Sequence, residues 1–210
     1  MPALIVFVHI PKTAGSSFRL AAEQYFGPDA LLFDYGAEAA QTSDLVKHWI
    51  YGRQDPAGFH EAVEAGPFRF LSGHFNREKY ADLPGARLVT WMRDPVDRLW
   101  SSYRHWCRHQ GFDGSFGEFL EQPRRQNQQA RILGDRLEGL SFVGLTERFA
   151  SDLEVFNAAF GTEFWMLRAN EAPPGDSERP SDTDVARARV LNDRDQALYE
   201  AVRTARSPVP

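Results

Sequence analysis

Residues 5–18 read Ile-Val-Phe-Val-His-Ile-Pro-Lys-Thr-Ala-Gly-Ser-Ser-Phe, and this stretch constrains the chain more than any other. Ile5 to Val8 is an unbroken apolar run of β-branched and aromatic side chains, the pattern of a buried strand. Pro11 breaks the run into a short loop of small and hydroxyl-bearing residues. An amphipathic segment follows over residues 14–26, with Phe18, Leu20, Ala21, Ala22 and Tyr25 suited to a helix. A strand, a hydroxyl-rich turn and a helix N-terminus form a geometry that holds phosphate, because free backbone N–H groups and the positive helix end converge on an anion there. Lys12 adds a mobile point charge, and Thr13, Ser16 and Ser17 add hydroxyl donors around the small Ala14 and Gly15. The same residues also suit a plain strand-to-helix turn with one surface lysine. The loop is not a Walker A motif, because Lys12 precedes Gly15 instead of following a glycine-rich run.

The rest of the chain repeats the strand-then-helix rhythm. Phe68–Ser72 is a short apolar strand ending at Gly73-His74, and Arg87–Met92 is another ending at Arg93-Asp94-Pro95. Pro95 then opens a helix over 95–109, with Val96, Leu99, Trp100, Tyr103 and Trp106 at helical spacing. The mixed stretch 27–67 predicts a helix around 38–50 or 57–65. Short helices are predicted at 116–121 and 125–133, and a strand at Leu140–Leu145. Thr146 is a candidate N-cap for a helix reaching Phe160. Phe164–Leu167 reads as a last strand, 172–183 as a polar, breaker-rich loop, and 184–205 as one closing helix. Strands alternating with helices predict an α/β fold, with a mostly parallel sheet and helices on both faces. At 210 residues the chain reads as a single domain, 1–210.

Composition narrows the function classes. Hydrophobic content of 42%, with 16 phenylalanines and 5 tryptophans, is that of a globular core. Cys107 is the lone cysteine, which excludes an intrachain disulfide and a Cys-x-x-Cys redox pair. No His, Asp or Glu grouping has metal-ligand spacing, so no metal is expected. No apolar run approaches the length of a membrane span, and the N-terminal run lacks a basic flank; a soluble cytoplasmic protein is the expectation. Net charge is −5, yet residues 69–136 hold 12 Lys and Arg against 8 Asp and Glu. That local excess suits a small polyanionic ligand better than a nucleic acid.

Ligands of parallel sheets bind beyond the carboxyl ends of the strands. Three polar segments fall there: 9–17, 73–79 and 93–101. Arg93 stands at a strand tip. Ser101 lies about two helical turns further on and meets the same anion if the helix folds back. Asp94 suits a cap, and a capped helix with solvated arginines accounts for the segment equally. His74 follows Gly73 at a strand end, where a histidine serves either as a base near neutral pH or as a structural side chain. His9 is a rival for the base. Arg77, Lys79, Arg104 and His105 line an anionic-sugar cleft or form solvated surface.

These residues resemble a known family. Pro11-Lys12-Thr13-Ala14-Gly15-Ser16-Ser17-Phe18 is similar to the 5′-phosphosulfate loop of sulfotransferases, and Arg93-Asp94-Pro95-Val96-Asp97-Arg98-Leu99-Trp100-Ser101-Ser102-Tyr103 to their 3′-phosphate motif. Asn127–Leu133 and Phe142–Phe149 echo the family in the same order. The resemblance points to the carbohydrate branch that includes heparan sulfate 2-O-sulfotransferases and bacterial relatives. It implies a P-loop-like three-layer α/β fold and 3′-phosphoadenosine 5′-phosphosulfate (PAPS) as donor. It further implies that Lys12 contacts the phosphosulfate and the leaving oxygen, that residues 13–17 hold the 5′-phosphate, and that Arg93 and Ser101 bind the 3′-phosphate. His74 would be the general base on a hydroxyl acceptor, expected to be a carbohydrate. Ser72 stands where the 2-O-sulfotransferases carry a second histidine. A divergent phosphotransferase and a non-catalytic nucleotide sensor remain the alternatives.

Overall fold

The computed structural model describes residues 3–165 and 179–205. Among the described residues five strands form one parallel sheet: β1 (Ile5–Val8), β2 (Leu31–Asp34), β3 (Phe70–Gly73), β4 (Arg87–Met92) and β5 (Phe142–Leu145). Their order is β2-β3-β1-β4-β5, with every neighbouring pair parallel. The strands are short and nearly fully buried, so they carry apolar residues on both faces rather than alternating with polar ones.

Strand alternation sorts those residues into two cores. Ile5, Phe7, Val89, Trp91 and Phe142 face one side, where α1 (Gly15–Phe26) and α7 (Phe149–Phe160) cover them with Phe18, Ala21, Leu153 and Phe156. Val6, Val8, Leu88, Met92, Val143 and Leu145 face the other. That side is covered by α2 (Asp44–Val46), which continues as a π-helical turn over Lys47–Gly52, and by α3 (Pro56–Ala65), α6 (Gln128–Leu133) and α9 (Asp193–Thr204). The result is a three-layer α/β fold with helices on both faces, as expected. A third apolar cluster joins α4 (Pro95–His109), α5 (Phe116–Leu120) and α8 (Asp182–Leu191) through Val96, Leu99, Phe119 and Ala188.

The boundaries of β4 and α4 coincide with the sequence expectation. Asp94 accepts hydrogen bonds from the backbone N–H groups of Val96 and Asp97, and Pro95 occupies the first turn. Four expectations need correction. β2 falls within a stretch read only as mixed. Thr146 does not cap α7: its hydroxyl donates to the Met92 carbonyl at 3.0 Å, and a 3-10 turn over Thr146–Arg148 precedes the helix. Phe164 and Trp165 are not in a strand, and 166–167 lie outside the described residues. The closing helix is two helices, α8 and α9, parted at buried Asn192, whose side chain donates to the Ala188 carbonyl and accepts from the Asn127 N–H. Of the predicted loop 172–183, residues 172–178 lie outside the described residues, and Ser181 caps α8.

Candidate functional site

The three polar segments follow β3, β1 and β4, which are adjacent in the sheet. β1 is the point where the crossovers diverge to either side. The carboxyl end of such a strand opens a crevice, and the loop after β1 lies in it.

That loop is tightly folded. Lys12 and Ala14 both take positive φ, 72° and 62°. Side chains rarely adopt this conformation, and here it turns successive peptide N–H groups the same way. Among the described residues, the N–H groups of residues 12–16 bond to no acceptor, whereas Ser17 and Phe18 already donate to the Ala14 carbonyl. Thr13 is fully buried, and its hydroxyl donates to the Ile10 carbonyl at 2.9 Å, which pins the loop. Ser17 is also buried, and Ser16 is partly exposed.

Gly15 has a specific steric reason. A Cβ there would sit 2.2 Å from the His9 ring. The Gly15→Ala variant is expected to cost about 1–3 kcal/mol by overpacking. Urea denaturation reads that loss, and a stability equal to the parent would show that the His9 ring moves aside freely.

His9 is buried between Phe7, stacked at 5.2 Å, and His74 at 4.5 Å. Burial, then the neighbouring His74, Arg19 and Lys12, lowers its pKa to about 3, so the ring stays neutral and enclosed. His9 instead supports its rival. Its carbonyl lies 2.9 Å from Nδ1 of His74. A carbonyl can only accept, so Nδ1 carries the proton and Nε2 keeps the lone pair. The His74 ring also meets Tyr35 edge-on at 5.1 Å. Crowding lowers the His74 pKa against the raising effect of the His9 carbonyl, and Arg19 lowers it further. Solvent still reaches the side chain. The backbone is fixed as well: the His74 N–H donates to the Asp34 carbonyl at 3.1 Å. Gly73 permits this, since a Cβ there would lie 1.8 Å from the Asp34 carbonyl oxygen.

Arg93 reaches across to the loop, with Nη1 3.5 Å from the Lys12 carbonyl. Its backbone is gripped at two points. Buried Gln129 accepts from the Arg93 N–H at 3.0 Å and donates to the Arg93 carbonyl at 2.9 Å. Burial lowers the Lys12 pKa, and the charges of Arg108 and Arg93 lower it further. Lys12 in turn acts on His105. Ser101, His105 and Arg108 follow one stripe of α4 at spacings of four and three. The stripe therefore places Ser101 on the face turned toward Lys12, although no hydrogen bond joins it to Arg93.

Lys12, Arg93, His74 and the α4 stripe thus gather at one sheet edge. Sequence reasoning missed Gln129 and its own anchor Asp195, and it gave Arg108 no place. The spacing of 101, 105 and 108 was the available signal for Arg108. Arg77 leaves the candidate cleft: it is buried and donates to the carbonyls of Arg136 and Glu138. Among the described residues there is no group of three His, Cys, Asp or Glu side chains placed to hold a metal ion, and no helix is long and apolar enough to cross a membrane.

The fold defines an open parallel α/β protein with a strand–loop–helix turn at its switch point. No family model matches the chain, and no curated protein matches it. Among solved structures it is similar to a sulfotransferase from Alicyclobacillus acidocaldarius, at 19% identity and a TM-score of 0.43, covering 95% of this chain and 99% of that one. It is also similar to the mouse sulfotransferase SULT7A1 complexed with PAP, at 14% identity and a TM-score of 0.47, covering 90% of this chain and 62% of that one. At this distance the functional reading rests on the residues of the site.

Proposed function

We propose that this protein is a PAPS-dependent sulfotransferase that sulfates a hydroxyl group, with a carbohydrate as the acceptor class. One observation carries the reading. Unbonded loop amides with Lys12, the cation Arg93, and a neutral histidine with Nε2 free stand at the ends of three adjacent strands. The two sequence motifs around Lys12 and Arg93 support it.

On this reading the N–H groups of Thr13, Ala14, Gly15 and Ser16, with the hydroxyls of Ser16 and Ser17, hold the donor's 5′-phosphate at the α1 N-terminus. Arg93 and Ser101 hold its 3′-phosphate, and a planar guanidinium suits that fixed bidentate contact. Nε2 of His74 takes the acceptor proton as the acceptor oxygen bonds to sulfur. The bond from sulfur to the bridging oxygen breaks, its electron pair passes to that oxygen, and Lys12 stabilises the charge that develops there. Alignment and charge stabilisation supply the catalysis, with no metal in the proposed step.

Calorimetric titration with 3′-phosphoadenosine 5′-phosphate (PAP), against 5′-AMP and Mg-ATP, tests the donor assignment. Micromolar binding that needs the 3′-phosphate is expected. Arg93→Ala should weaken it by about tenfold or more, the value of a charged hydrogen bond. Indifference to the 3′-phosphate, or tighter binding of Mg-ATP, would replace the reading with a phosphotransferase.

A further inference from the structure

A cavity of about 500 Å³ opens beside His74, within the range of small-molecule sites. It lies on the side of His74 lined by Tyr51, Asn76, Lys79 and Gln128. Lys79 is the single cation among these lining residues, and it is already spent. Its ammonium donates to Asp34 Oδ2 at 2.5 Å and to the Tyr51 hydroxyl at 2.6 Å, and it lies 4.0 Å from the Tyr51 ring centroid.

Asp34 is fully buried at the end of β2. It also accepts from the Tyr51 hydroxyl at 2.6 Å and the Tyr80 hydroxyl at 2.8 Å. Burial alone would raise the Asp34 pKa, but the bonds from Lys79, Tyr51 and Tyr80 outweigh it and hold the carboxylate ionised. Carboxylate and ammonium therefore cancel inside the wall. What faces the cavity is a set of neutral donors and acceptors: the amides of Asn76 and Gln128, the Tyr51 hydroxyl and the His74 ring. An anionic acceptor entering here would lose water and find no unpaired cation.

We propose that this cavity takes the acceptor, that the acceptor is an uncharged polyhydroxyl compound, and that the Asp34–Lys79 pair is the specificity device that rejects anionic ones. The inference rests on the sulfotransferase reading. The reaction balances as above: one acceptor O–H is lost to His74, one O–S bond forms and one S–O bond of the donor breaks. The donor and the anionic sugar would otherwise bring like charge to one crevice, and a neutral wall removes any reward for that approach.

The test uses radiolabelled PAPS and two acceptors that differ in charge but not in their hydroxyl groups: a hyaluronan tetrasaccharide, and the same tetrasaccharide with its uronate carboxyls converted to primary amides. PAP binding is measured alongside. The expected result is transfer to the amidated tetrasaccharide at least about tenfold faster than to the uronate form. PAP binding with preference for the uronate form, or with transfer to neither, would overturn the neutral-acceptor inference and leave the donor site standing. Absence of PAP binding would remove the donor reading itself. Asp34→Asn, which leaves Lys79 charged, should move the ratio toward the uronate form by about tenfold with PAP affinity retained. An unchanged ratio in that variant would also overturn the proposal.

Discussion

Replacing His74 with alanine should lower turnover by about 10²–10⁴-fold, the usual worth of a general base, while PAP affinity stays at the parent value. The separation follows from geometry. His74 hangs from β3 and is tied to the His9 and Asp34 carbonyls, and no loop amide or Arg93 contact depends on its ring. Its pH dependence has a definite sign. Burial, with the positive charge of Arg19, favours the neutral ring, so the pKa lies below the ordinary imidazole value. The base is then formed as pH rises through that lowered pKa. Turnover should climb on the acid side and be flat at neutrality. A rate still rising from about pH 7 to about pH 9 would assign the base to another group. So would full activity in the alanine variant.

Asp195→Ala should cost about 3–5 kcal/mol of stability, because it strands a buried cation. Arg98 is 1% exposed and its Nε lies 3.9 Å from Asp195, close enough to pair but without a hydrogen bond. Its other nitrogens donate to the Gln128 side chain at 2.7 Å and the Arg125 carbonyl at 3.3 Å. Even so paired, burial pulls the guanidinium down to about 10. Asp195 has a second duty: it accepts the N–H of Ala130 at 2.7 Å and of Gln129 at 3.3 Å at the start of α6. Gln129 in turn grips Arg93. The variant should therefore lose PAP affinity as well as stability, and Asp195→Asn, which keeps an acceptor oxygen, should lose less of each. Urea unfolding and PAP titration measure the two effects. A loss below roughly 1 kcal/mol would show that Arg98 is satisfied without Asp195.

Local signals explain which parts of the fold could be read from the chain. β1 and β4 are apolar runs that end at chain-breaking residues, and α4 carries its own cap and proline. Such information lies within a few residues. β2 escaped because Leu31-Leu32-Phe33 is a short apolar run between a Pro28 turn and an acidic residue, and only its pairing with β3 makes it a strand. The break at Asn192 was equally invisible. Nothing in 184–205 forbids a continuous helix; the amide of Asn127, far away in sequence, draws the Asn192 side chain. In the site, the residues on loops and strand ends announced themselves. Gln129 and Asp195 did not, since polar residues on helices ordinarily face water, and here tertiary contacts turn them inward. Lys79 looked like a free surface charge until Asp34 was brought beneath it by the pairing of β2 with β3.

The position of β1 at the centre of the sheet governs the order in which the protein can be built. Ile5 is synthesised well before its ladder partners, Phe70 on one side and Arg87 on the other. Both partners are distant in sequence, and closing such pairings is slow. β1 must therefore wait for these partners until β3 and β4 have been synthesised. The loop of Lys12 acquires its shape only when that central slot is filled. Capture of an anion by a growing chain would thus mark the moment at which the sheet is complete from β3 to β4.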